Sequence, residues 1–174
     1  MASAYELQRY WQAISKLAPG ETIESIYPWE MPPWAEICNE LDWRLFRVNE
    51  DYFSKREYGF CGVYRIFALA VERDPRKPSV LNRLRGQDSS GTLYIGRSAS
   101  LQERLNKFQR TLFSGESSHG AASMLKRVDV FGIPSTKLGI ALMFTPECIA
   151  RVERDLLDAY IYSFGDTPPL NYSL

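Results

Sequence analysis

Metal-clustering side chains are scarce in this chain. It has one histidine, His119, and three cysteines, Cys38, Cys61 and Cys148, which lie far apart and form no CxxC pair. That spacing argues against a zinc site, and an odd thiol count argues against a disulfide frame, so free thiols in a reducing compartment are expected. Long apolar runs are missing too: none approaches the ~20 residues of a membrane-crossing helix. The stretch Met1 to Leu7 lacks the basic start and apolar block of a secretory leader. A cytoplasmic protein with no membrane partner is therefore expected. Repeats and low-complexity tracts are also lacking. Nor does either sign of charge dominate, with 21 Lys and Arg against 21 Asp and Glu. A zero balance by itself speaks against a polyanionic partner.

The distribution of charge reverses that impression. Residues 1–59 hold 6 basic and 10 acidic side chains, a net of −4, and residues 60–174 hold the other 15 and 11, a net of +4. The stretch from Tyr94 to Val128 carries Arg97, Arg104, Lys107, Arg110, Lys126 and Arg127 against only Glu103 and Glu116. Two parts are expected: an acidic, Trp-rich, mainly helical extension over residues 1–59, and a basic domain over 60–174. Hydrophobic residues at 45% and aromatics at 13% are enough to give the chain a packed core. Trp11, Trp29, Trp34 and Trp43 read as packing residues of the first part.

Periodicity places the elements. Leu7, Tyr10, Trp11, Ile14 and Leu17 recur at helical spacing over Ser3 to Leu17. A short helix is expected from Pro33 or Trp34 to about Asp42. Phe60 to Val71 reads as a strand, and Thr92 to Gly96 as its hairpin partner across a long, basic, mobile connection. Ser98 or Ser100 should cap the next helix, and Ser100-Leu-Gln-Glu103 has the capping-box pattern. Another short helix is expected over Ala121 to Val128, and a third strand over Lys137 to Phe144. Thr145-Pro146-Glu147 reads as the start of a last helix that Gly165 ends. The order β-β-α-α-β-α implies an α+β domain, a small mixed or antiparallel three-stranded sheet flanked by helices.

On the last helix Ile149, Val152, Leu156, Leu157 and Tyr160 form an apolar stripe with Glu153 in its middle. A carboxylate facing a core is costly unless it is paired or bound to a metal. Both readings stay open: a metal ligand, or a structural ion pair with an arginine from another element. Arg104 lies at the edge of the stripe Leu101, Leu105, Phe108, placed to reach over the sheet. His119 sits in a Ser-Ser-His-Gly turn, where an exposed and inert histidine is the ordinary outcome.

Taken together, Gly62-Val63-Tyr64, Tyr94-Ile95-Gly96, an arginine ten residues after the second tyrosine, Glu153 on a late helix and the ending Pro168-Pro169-Leu170-Asn171-Tyr172 resemble the GIY-YIG nuclease family. The resemblance covers about Phe60 to Tyr172. Residues 65–93 separate the two halves of the signature, longer than the hairpin turn of most members; Phe108 stands where many carry His or Tyr; residues 1–59 have no counterpart. The resemblance implies a metal-dependent DNA endonuclease, of restriction type in preference to repair or homing, using one Mg²⁺ or Mn²⁺ per site held by Glu153. It implies Tyr64, Tyr94, Arg104, His119 and Glu153 as catalytic residues, with Arg97 and Asn171 supporting them. Arg104 and Arg97 would stabilise charge on the phosphate. Tyr64, then Tyr94, then His119 are candidates for the proton acceptor. Asn171 would hold a helix end or a site loop. Arg83, Arg85, Arg97 and Lys107 are expected to touch DNA, and a symmetric double cut would require a homodimer. The alternative is a catalytically inactive scaffold of the same type that binds nucleic acid or a protein.

Overall fold

The computed structural model describes residues 2–17, 30–48, 60–114, 118–127, 133–145 and 148–171. Helix α1 (Ala4–Ile14) starts on a capping box, Ser3 Oγ accepting from the Glu6 N–H at 3.2 Å and Glu6 Oε2 from the Ser3 N–H at 2.8 Å. It buries Ala4, Leu7 and Trp11. Helix α2 (Trp34–Glu40) follows Pro33. Trp29 and Tyr172 lie outside the described residues.

The sheet has four strands, not three. Strands β1 (Arg44–Arg47), β2 (Gly62–Ala68), β5 (Thr92–Ser98) and β6 (Leu138–Phe144) run antiparallel in the order β1-β6-β2-β5. The extra strand comes from the first 59 residues and pairs along β6 from Arg44↔Leu142 to Arg47↔Gly139. Between β2 and β5 a short hairpin forms its own two-stranded ribbon, β3 (Leu81–Asn82) and β4 (Gln87–Asp88). The connection expected to be mobile is therefore an ordered excursion. Its backbone is tied to the body by Arg73 N–H to Thr136 C=O, Ser79 N–H to Ala68 C=O and Arg85 N–H to Phe164 C=O.

Helices cover both faces of the sheet. On one face α1, α2 and α5 (Ile149–Phe164) pack around Val63, Ile95 and Met143. On the other, α3 (Leu101–Ser114) and α4 (Gly120–Leu125) pack around Tyr64, Ile66, Ile140 and Leu142. All seven residues of β2 are buried, as a central strand covered on both faces must be. Helix α5 begins later than Thr145-Pro146-Glu147 would have it: Cys148, in the left-handed region at φ 47°, is its cap, and Pro146 and Glu147 lie outside the described residues. Its end matches expectation, with Gly165 at φ 74°. The three cysteines are free thiols. Among the described residues no helix is long and apolar enough to cross a membrane.

Candidate active site

The two glycines of the split signature have a steric reason. A Cβ on Gly62 would lie 2.3 Å from the Met143 carbonyl oxygen of the neighbouring strand. A Cβ on Gly96 would lie 2.5 Å from the Tyr94 ring and 2.9 Å from that of Tyr64. Gly96 thus lets both tyrosines lie against β5. In the register Tyr64↔Gly96 and Ile66↔Tyr94, the two tyrosines share one face of the sheet, with ring centroids 5.7 Å apart.

Beside that edge opens a cleft of about 660 Å³, whose walls include Tyr94 and Arg97 from β5, Arg104 from α3, Glu153 from α5 and Asn171 from the tail. It draws side chains from both layers because β5 is the outer strand on this side. Arg104 Nε donates to Tyr64 Oη at 2.9 Å, the reach over the sheet that its helix position implied. Burial works against its charge, but the Tyr64 and Tyr94 oxygens outweigh burial and hold the pKa above its ordinary value. Arg104 is a fixed cation on the cleft wall.

His119 is not an exposed loop residue. It is 2% exposed, caps α4 and packs edge-on against Phe108 at 5.2 Å between ring centroids. Burial, then the Arg104 charge, lowers its pKa to about 4, so the imidazole is neutral at pH 7. Its Nδ1 accepts from the Ala122 N–H at 3.4 Å. The ring proton therefore sits on Nε2, which lies 2.9 Å from Tyr64 Oη and donates to it. In this arrangement both ring nitrogens are committed within the fold.

Tyr64 is fully buried, and its phenol is pushed far up by burial and by Tyr94, against the pull of Arg104. A general base needs the opposite shift. As placed, Tyr64 is the hub that holds Arg104 and His119, and Tyr94 is the tyrosine on the cleft wall.

Glu153 pairs with Arg97, Glu153 Oε2 lying 3.2 Å from Arg97 Nε, with the two side chains 22% and 43% exposed. The ion-pair partner left open by the helix pattern is thus a β5 arginine. Burial raises the Glu153 pKa while Arg97 works to lower it. Asn171 grips the site strand: its Oδ1 accepts from Ile95 N–H at 2.9 Å and its Nδ2 donates to Ile95 C=O at 2.8 Å. It therefore fixes a strand between Tyr94 and Gly96, not a helix end or loop.

The four cations expected at DNA are differently placed. Arg97 is in the cleft. Lys107 is exposed on α3 and Arg85 on the hairpin. The Arg83 side chain is 11% exposed and its guanidinium is committed to Asp166, at 3.2 Å, and to the Thr167 carbonyl oxygen. Two cleft residues were not singled out in the sequence: Arg154 and Asp158, one helical turn apart on α5.

Among the described residues no group of three or more His, Cys, Asp or Glu is disposed to hold a metal. Glu153, a half-buried carboxylate on an open cleft, is still a fitting donor for a hard divalent cation that keeps most of its waters and completes its shell with substrate phosphate oxygens. It does not fit a closed protein cage. No family model, curated protein or solved structure matches the chain.

Proposed function

We propose that the chain is a metal-dependent DNA endonuclease of the GIY-YIG type, acting on foreign DNA as a restriction enzyme. The observation that carries this reading is the convergence of Tyr94, Arg97, Arg104 and Glu153 on one open cleft. Three arginines counting Arg154 face a space bordered by two carboxylates, Glu153 and Asp158, which suits an anion approached by a cation. Arg104, locked by Tyr64, stabilises the charge that develops on the attacked phosphate. Arg97 releases Glu153 as it turns to the phosphate. Tyr94 orients the attacking water from the cleft wall. Glu153 would hold Mg²⁺ or Mn²⁺, which when bound supplies Lewis-acid stabilisation of the leaving 3′ oxygen. Cutting both strands of a symmetric site requires two copies of the chain.

The Arg97–Glu153 ion pair favours a second reading, an inactive scaffold of the same type that binds nucleic acid without cutting it. Plasmid nicking in Mg²⁺, Mn²⁺ and EDTA separates the two. The nuclease reading expects nicking in metal alone and its loss in Glu153→Gln with the fold intact. Arg104→Ala should slow nicking on the order of 10² or more, and Arg97→Ala less. Unchanged nicking in Glu153→Gln removes the metal role and returns the carboxylate to a structural pair.

A further inference from the structure

The excursion between β2 and β5 ends in a hairpin with an unusual surface. Leu84, at its tip, is 77% exposed, the largest exposure among the large apolar side chains described. Beside it Asn82, Arg85 and Gln87 are exposed. Asn82 and Gln87 face each other across the ribbon, Gln87 Nε2 donating to Asn82 Oδ1 at 3.2 Å, so two carboxamides are held side by side.

The hairpin is nevertheless rigidly seated. The Arg83 N–H donates to Gly86 C=O at 3.0 Å and closes the turn, with Gly86 at φ 76°. The Arg83 guanidinium lies 5.8 Å from the Tyr160 ring centroid and holds the Asp166-Thr167 turn. At the ribbon's base Asp88 is fully buried and accepts from the Ser90 and Thr92 N–H groups and the Tyr160 hydroxyl. An exposed leucine on so firm a mount lowers no folding free energy where it stands, and little ordering remains to be done on binding.

Its position relative to the cleft follows from α5. A Cβ on Gly165 would lie 3.1 Å from Cγ and Cδ of Arg85, so that side chain rests on Gly165. At about 100° per residue Gly165 falls on the same helix face as Arg154 and Asp158, the cleft wall, and about 16 Å along the axis from Arg154.

We infer that the hairpin Leu81–Asp88 reads base edges in the major groove of duplex DNA, with Arg85, Asn82 and Gln87 as the hydrogen-bonding residues and Leu84 against a thymine methyl. The identity of the polymer rests on the nuclease reading. A two-stranded ribbon fits a groove about 12 Å wide, and guanidinium, carboxamide and apolar groups are the ones that distinguish guanine, adenine and thymine there. Arg83 is the anchor, not a contact.

The test uses the full chain in EDTA with a pool of randomised DNA duplexes. Bound duplexes are sequenced for wild type, for Arg85→Ala with Gln87→Ala, and for Leu84→Ser, and a parallel arm with Mg²⁺ maps plasmid cuts. Wild type should enrich a motif. The double variant should lose roughly tenfold discrimination or more at the affected positions with an unchanged melting temperature, and Leu84→Ser should relax a thymine. An unchanged motif in both variants overturns the inference, as does wild-type binding with no preference or no duplex binding at all. Motif loss in the variants without nicking by wild type supports hairpin reading and removes the nuclease. Nicking with an unchanged motif does the reverse.

Discussion

Tyr64 and Arg65 are neighbours on β2, and because strand residues alternate they enter two buried polar clusters on opposite faces of one sheet. Arg65 Nη1 donates to Thr92 Oγ1 at 3.0 Å and to Cys38 Sγ at 3.2 Å, and its guanidinium carbon lies 4.8 Å from the Phe67 ring centroid. Around it the Trp34 indole N–H donates to Ser90 Oγ at 2.8 Å, and Asp88 gathers Ser90, Thr92 and Tyr160. Tyr64, by contrast, receives Arg104 and His119, and Arg104 stands on an open cleft. Both clusters combine an arginine, a tyrosine and hydroxyl or imidazole partners. They differ in where the cation ends: inside the protein for Arg65, at solvent for Arg104. A buried polar cluster thus has a functional reading when one charged member reaches a cavity, and a structural one when its charged member ends among groups inside the fold, as Arg65 does even though its Nε has no hydrogen-bond acceptor there.

The sharpest way to break this contrast is to attack the closed cluster. Asp88→Ala leaves the Ser90 and Thr92 N–H groups and the Tyr160 hydroxyl without their acceptor in a dry site. The expected loss is on the order of 4 kcal/mol in urea unfolding. The nicking rate per folded molecule should not change at a temperature where the variant stays folded. A matching fall in that rate would show that the closed cluster also serves the cleft.

The open cluster should respond to pH. The His119 pKa is about 4 in the fold against 6.5 for a free side chain, so the unfolded chain binds the proton first as pH falls. Stability from the neutral imidazole is complete above pH 6.5 and is lost progressively down to about 4. The shift corresponds to about 3 kcal/mol over that window. His119→Gln keeps a donor for Tyr64 without a titrating ring. Urea midpoints of wild type should fall more steeply than those of the variant between those pH values. Parallel curves would mean that His119 is not the titrating group.

Elements carried by caps and long periodic runs were legible in the sequence. The apolar spacing of Leu7, Trp11 and Ile14 placed α1, and Gly165 closes α5. Strand β1 was not, because Arg-Leu-Phe-Arg is short and mostly exposed, and its place is set by pairing with β6. For the site, the stripe on α5 marked Glu153 as anomalous, and the fold supplied Arg97 as its partner from a strand 56 positions earlier. His119 read as a loop residue because nothing local shows that Phe108 and Tyr64 close over it. Arg83 and Arg85 look equivalent in the sequence, yet one is held by Asp166 and the other lies on Gly165. Such differences depend on contacts more than 70 residues away, which no local pattern encodes.

The smallest effect tests whether the two clusters are independent. Asn171 lies between their neighbourhoods: it grips Ile95 on the strand that carries Tyr94 and Arg97, while its carbonyl accepts from Thr167 Oγ1 at 3.0 Å, beside the turn that Arg83 holds. Asn171→Ala removes two hydrogen bonds at a strand edge that water can reach, so the stability cost should be about 1–2 kcal/mol. Loosening β5 next to Tyr94 should lower kcat more than it raises KM, and Asn171→Asp, which keeps the acceptor for the Ile95 N–H, should recover part of the loss. A purely structural clamp would change neither constant in a fully folded sample. Combining Asn171→Ala with Asp88→Asn then measures the coupling. Independent clusters give stability changes that add to within about 0.5 kcal/mol. A larger interaction energy would show that the tail transmits strain from the closed face to the open one, and the division of the sheet into a structural and a functional side would no longer hold.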